Sequence, residues 1–240
     1  MTLASRNYII AATPRTGSNL LCEGLSAALL AGFPAEFFAP DFRGYWYKRL
    51  GLRSETSFAD FLKSVLQLGT TPNGIFGTKI QWMHVAVLAS NSCHCGLPES
   101  VLESLFPGAS YINIIRRDRR AQALSWFRAC CTNEWFRTGP VRSQRVEPPD
   151  LDIERVLYLE WHIGQQQSSW QRYFAQRGIR PLVLEYECLE NDYRGQIGRA
   201  LAFLGLDVSA AQTVPDPALT RQSDEVTTVW RKVMDAAYPQ

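Results

Sequence analysis

The stretch from Tyr8 to Leu29 constrains the chain more than any other. Tyr8, Ile9, Ile10, Ala11 and Ala12 form an apolar run without alternation, the pattern of a strand covered on both faces inside a parallel sheet. Thr13-Pro14-Arg15-Thr16-Gly17-Ser18 follows as a compact polar loop, and Leu21, Leu25 and Leu29 then recur with helical spacing. A buried strand that feeds a helix through a short loop presents unpaired backbone N–H groups and the positive end of the helix dipole, which together favour an anion. The residue types fit that use. Gly17 permits close backbone approach, Thr16 and Ser18 carry hydroxyl donors, and Arg15 offers a forked cation. The same spacing also describes an ordinary turn in which Ser18 caps the helix, so other segments must decide. A Walker A loop fits poorly, because it needs a Gly-Lys pair and the sequence contains none.

Further along, apolar runs and helical periodicities alternate. Helices are expected over Phe58–Leu68, Val101–Phe106, Asp118 to about Cys131, Leu151–Gln176 and Gly195–Leu204, and a last one carries Trp230 behind Ser223 as cap. Strands are expected at Ile75–Ile80, Tyr111–Ile115 and Pro181–Tyr186. Trp161, Trp170 and Phe174 read as the buried side of the long helix, which Gly178 stops. Strand and helix in alternation predict an α/β fold with a mostly parallel central sheet flanked by helices. At 240 residues and 46% apolar content, one domain over the whole chain is the expected organisation, with 138–150 as a loop.

A net charge of +2 gives no general polyanion footprint, so nucleic acid is not an expected partner. Basic residues cluster locally instead, at Arg116, Arg117, Arg119 and Arg120 around Asp118 and at Arg137, Arg142 and Arg145. No apolar segment has the length of a signal peptide or a membrane span, and the cysteines at 22, 93, 95, 130, 131 and 188 do not form a secreted disulfide framework. A cytoplasmic protein with reduced thiols is expected. Cys93-His94-Cys95 lacks a second ligand cluster at metal-site spacing and reads as a loop, so no metal is expected.

Several residues are candidates for chemistry. Glu36 lies within Gly32-Phe33-Pro34-Ala35-Glu36-Phe37-Phe38, where burial among apolar groups raises a carboxylate's pKa and suits a general base; the bland reading is a loop glutamate beside a hydrophobic anchor. Tyr45, Trp46 and Tyr47 between Arg43 and Arg53 suit a sugar face or simple packing. Lys79 and Trp82 fall near the end of the second strand, where open α/β sheets place ligands, and are candidate substrate contacts; a snorkelling lysine is the alternative. Arg116 or Arg117 at the third strand's end, with Ser125 in the next helix, forms a candidate second phosphate site. Arg221 is a further candidate phosphate contact.

Taken in order, Pro14-Arg15-Thr16-Gly17-Ser18, Pro34-Ala35-Glu36-Phe37-Phe38, Thr71-Pro72-Asn73-Gly74 with Gly77-Thr78-Lys79 and Trp82, Arg116-Arg117-Asp118 with Gln122-Ala123-Leu124-Ser125, and Arg221-Gln222-Ser223-Asp224 with Trp230 resemble the bacterial trehalose 2-sulfotransferase family. These blocks span nearly the whole chain. The resemblance implies a P-loop-like sulfotransferase fold and 3′-phosphoadenosine 5′-phosphosulfate as donor, with no metal. It implies that Arg15, Thr16, Gly17 and Ser18 hold the phosphosulfate and that Arg116 or Arg117 with Ser125 holds the 3′-phosphate. Alignment on Asp118 favours Arg116; the arginine-to-serine spacing of other sulfotransferases favours Arg117. Glu36 falls at the family's proposed base, and Arg15 would stabilise charge on the transferring group. The acceptor implied is a carbohydrate hydroxyl of trehalose, a glycolipid or a polysaccharide, and the assembly implied is a homodimer. A P-loop-like kinase and a non-catalytic nucleotide-binding protein are the competing classes. Magnesium dependence marks the first, and indifference to Glu36 the second.

Overall fold

In the computed structural model, residues 4–135, 150–219 and 225–238 are described. Four strands, β1 (Arg6–Ala12), β2 (Ile75–Gln81), β3 (Ser110–Ile115) and β4 (Leu182–Glu185), form one sheet in the order β2-β1-β3-β4. Every pairing is parallel. The helices are α1 (Ser18–Ala27), α2 (Arg43–Arg49), α3 (Phe58–Gly69), α4 (Val85–Asn91), α5 (Val101–Leu105), α6 (Arg119–Thr132), α7 (Ile153–Arg177), α8 (Tyr186–Asn191), α9 (Tyr193–Phe203) and α10 (Glu225–Ala237).

β1 is central and explains the unbroken apolar run. Tyr8, Ile10 and Ala12 pack on one face with Leu21 and Leu25 of α1 and Ile197 and Leu201 of α9. Ile9 and Ala11 pack on the other with Phe76, Phe106, Tyr111 and Trp170. Both faces are apolar because both are covered. A third cluster joins α6, α7 and α10 through Leu124, Phe127, Ile163, Trp230 and Met234.

Two apolar residues do not go where periodicity puts them. α1 ends at Ala27, and Leu29 sits beyond it with φ 59° and 63% exposed. Trp161 is 58% exposed, whereas Trp170 and Phe174 on the same helix are buried. Trp161 rests on Tyr158 and His162 of its own helix, and no layer among the described residues covers it. Tyr186 begins α8 instead of ending the fourth strand. The caps are as expected at Asp118, which accepts from Ala121 N, and at Gly178, which takes φ 61°. Ser223, most of the loop expected over 138–150, and Arg137, Arg142 and Arg145 lie outside the described residues.

Candidate active site

At the carboxyl ends of β1, β2 and β3 a cavity of about 870 Å³ opens, the edge where parallel α/β sheets bind ligands. One end is the loop after β1. Arg15 and Gly17 both take positive φ, 65° and 75°, turning the chain sharply into α1. The loop is fixed from below: Gln122 Nε2 donates to Thr13 Oγ1 at 2.9 Å and to the Pro14 carbonyl at 2.6 Å, and Trp170 Nε1 donates to the Ala12 carbonyl at 3.0 Å. Ser18 lines the cavity. The Thr16 hydroxyl does not: it is fully buried and donates to the Thr13 carbonyl at 3.0 Å, so only its backbone remains to serve a ligand.

Arg15 and Ser125, expected in two separate anion sites, are joined here, with Arg15 Nε donating to Ser125 Oγ at 2.9 Å. Arg15 Nη1 also donates to the Trp135 carbonyl. Arg116 lies alongside, its Nη1 3.5 Å from the Arg15 carbonyl and its Cζ 4.5 Å from the centre of the Tyr186 ring. Arg116 Nε is buried without a hydrogen-bond partner. Burial lowers the pKa of Arg15 to about 10, and the Arg116 cation adds to that effect. Burial also lowers that of Arg116. Two arginines on one wall of the cavity, near enough for the Arg116 cation to act on Arg15 and one with an unsatisfied N–H, form a site that an anion would complete.

Arg117 is not part of it. Its side chain is 63% exposed and pairs with Glu185 at 3.2 Å and Glu187 at 3.7 Å, away from the cavity, so Arg116 alone of the two faces inward. Arg221 lies outside the described residues.

The opposite end holds Glu36. A parallel bridge between Ala35 and Thr78, with Lys79 N donating to the Ala35 carbonyl at 2.9 Å, adds this segment to the free edge of β2. Trp46 Nε1 holds the Glu36 carbonyl at 3.0 Å. The carboxylate then meets Lys79, which is 3% exposed, at 2.6 Å through Oε2. Oε1 lies 3.4 Å from His84 Nδ1 and makes no hydrogen bond. The sequence predicts a raised pKa for Glu36, and the structure reverses that. Burial does push upward, but the Lys79 ammonium with His84 outweighs it and brings the group down to about 2. Lys79 Nζ also reaches Asn19 Oδ1 at 2.6 Å, in the first turn of α1.

Trp82 is corrected as well. It packs edge-to-face on Trp170 and at a tilt on Tyr173 and is absent from the cavity wall, which instead takes its neighbours Gln81, Met83 and His84. Trp46 and Tyr47 are likewise packing residues against Phe37 and Phe61. Asn19, His84 and Tyr186 are site residues that sequence reasoning missed. Asn19 directly follows the loop, which was a usable signal; the other two are brought in by tertiary contacts. Among the described residues no group of three or more His, Cys, Asp or Glu could hold a metal, and no helix is long and apolar enough to cross a membrane.

The sequence model of the Stf0 sulphotransferases matches residues 7–235. The chain belongs to the Stf0 sulphotransferase family. As a member it is an enzyme, a sulfotransferase. Relatives of this Stf0 chain include a trehalose 2-sulfotransferase of Mycolicibacterium smegmatis, 28% identical over 93% of this chain and 92% of that one. A trehalose 2-sulfotransferase of Mycobacterium tuberculosis is 26% identical over 96% and 94%. A sulfotransferase from Alicyclobacillus acidocaldarius superposes with a TM-score of 0.48 at 12% identity, covering 98% of this chain and 96% of that one.

Proposed function

We propose that this Stf0 sulphotransferase moves a sulfuryl group from 3′-phosphoadenosine 5′-phosphosulfate to a carbohydrate hydroxyl, with Glu36 as general base. The observation that carries the reading is a single cavity with crowded guanidinium groups at one end and a buried carboxylate at the other. The relatives' names support a sugar acceptor, with trehalose the first to try. The free state of all six cysteines agrees with a cytoplasmic enzyme.

The residues present fit the donor. Arg15, Ser18 and the backbone N–H groups of the Thr16–Ser18 turn would hold the phosphosulfate, and Arg116 with Ser125 the 3′-phosphate. The donor supplies an activated sulfuryl group on a phosphate leaving group. Arg15 and the α1 N-terminus stabilise the charge that collects on that leaving oxygen, as preorganised donors do. Glu36 is ionised at neutral pH and takes the acceptor's hydroxyl proton while that oxygen bonds to sulfur. Lys79 weakens Glu36 as a base in the resting site. Lys79 Nζ, which already touches Asn19 at the start of α1, would be shared with an anion bound there, and Glu36 would then regain basicity.

Incubation with the donor and trehalose, read by mass spectrometry, should give a monosulfated sugar. Glu36→Gln should lower turnover by about 10²–10⁴-fold and leave nucleotide binding intact. Full turnover in Glu36→Gln would remove it as base, and no sulfated product from any sugar tried would remove the carbohydrate acceptor.

A further inference from the structure

Tyr186 has no place in the chemistry just described, yet it touches both halves of the anion end. β3 and β4 are in register through Ile115 and Glu185, so one residue further on Arg116 and Tyr186 stand side by side. The ring lies under the Arg116 guanidinium, 4.5 Å from centroid to Cζ. Its other side meets the loop. A Cβ built on Gly17 would come within 2.5 Å of Tyr186 Cδ2, so the ring occupies the space that the glycine leaves. Tyr186 OH donates to Glu190 Oε1 at 3.0 Å, which fixes the ring's direction. The guanidinium is thereby packed against the Arg15 carbonyl, with its Nε buried and unpartnered.

We propose that Tyr186 is a positioning residue for recognition of the donor's 3′-phosphate: wedged against Gly17, its ring holds Arg116 beside the anion loop with Nε unspent, and so sets the preference for a 3′,5′-bisphosphate over a 5′-monophosphate. This rests on the donor assignment above. An arginine over an aromatic face gains from the ring quadrupole and loses side-chain freedom before the ligand arrives, so less ordering is left to binding. The aromatic face does this work, and the hydroxyl only orients it.

The test is calorimetric titration, without magnesium, of adenosine 3′,5′-bisphosphate and of adenosine 5′-monophosphate into the wild type, Tyr186→Leu and Tyr186→Phe. The wild type should prefer the bisphosphate. Tyr186→Leu should weaken bisphosphate binding by about tenfold and change monophosphate binding by less than about threefold. Tyr186→Phe should restore most of the preference. Equal losses for both ligands in Tyr186→Leu would reduce the ring to general packing and overturn the proposal, as would an unchanged preference. A wild type that binds neither nucleotide would overturn the donor assignment first, and the two failures are told apart by that one control.

Discussion

The two ends of the cavity are built in opposite ways. The arginine end places like charges together: burial and the Arg116 cation lower the pKa of Arg15, burial lowers that of Arg116, and among the described residues Arg116 Nε has no hydrogen-bond partner. The Glu36 end places opposite charges together, with Glu36 and Lys79 neutralising each other in a buried pair. The first end is unsatisfied until an anion arrives. The second is satisfied in charge at rest, although Glu36 Oε1 makes no hydrogen bond, and that pairing must be disturbed for Glu36 to take a proton. In the proposed function the first end binds the donor and the second takes the proton, and each prediction below separates them.

The largest effect is expected on stability at the satisfied end. Lys79→Met leaves Glu36 buried without its cation, and thermal or denaturant unfolding should show a loss of about 3–5 kcal/mol. A loss under 1 kcal/mol would mean that the pair is not tightly coupled. The unsatisfied end should behave otherwise. Arg15→Ala should lower the transfer rate by about 10²–10³-fold with little loss of stability, because it removes a charge held near another of the same sign. Equal damage to stability and rate would blur the contrast.

Acid should act on the satisfied end first. The Glu36 pKa is lowered on folding, from 4.5 to about 2, so the pair's contribution is fully present above the unfolded value and is lost as pH falls through the folded one. Wild-type stability should therefore drop by about 3 kcal/mol between roughly pH 5 and pH 2 from this group, and Glu36→Gln should flatten that part of the curve. The smallest effect belongs to Arg117→Ala. Its exposed pairs with Glu185 and Glu187 are worth about 0–1 kcal/mol, and nucleotide affinity should stay within about twofold of wild type. Arg116→Ala should weaken it clearly. The reverse ranking would return the 3′-phosphate to Arg117.

The strand-loop-helix that carries Arg15 was largely legible in the sequence, because its parts are contiguous from Tyr8 to Ala27. Burial on both faces left its mark in the lack of alternation in β1. Arg116 and Arg117 differ only in which way each faces after β3, and carboxylates at Glu185 and Glu187 settle that from far along the chain. The Glu36 end was harder to read for the same reason. Glu36 was found from its apolar neighbours, but its charge state depends on Lys79 and His84, which reach it through the bridge to β2. Trp82 and Trp161 fail in mirror image. One sits next to the site in sequence and packs on Trp170; the other has core periodicity and is left exposed by the described residues. Periodicity reports which face a residue shares, and not whether another layer lies above it.

The central claim is that the crowded arginines form a nucleotide bisphosphate site that needs no magnesium. Calorimetry with adenosine 3′,5′-bisphosphate and with ATP, in chelator, on the wild type, Arg15→Ala and Ser125→Ala tests it most directly. Micromolar binding of the bisphosphate, weakened in both variants and not matched by ATP, is the predicted result. No binding, or tighter binding of ATP once magnesium is restored, would contradict it.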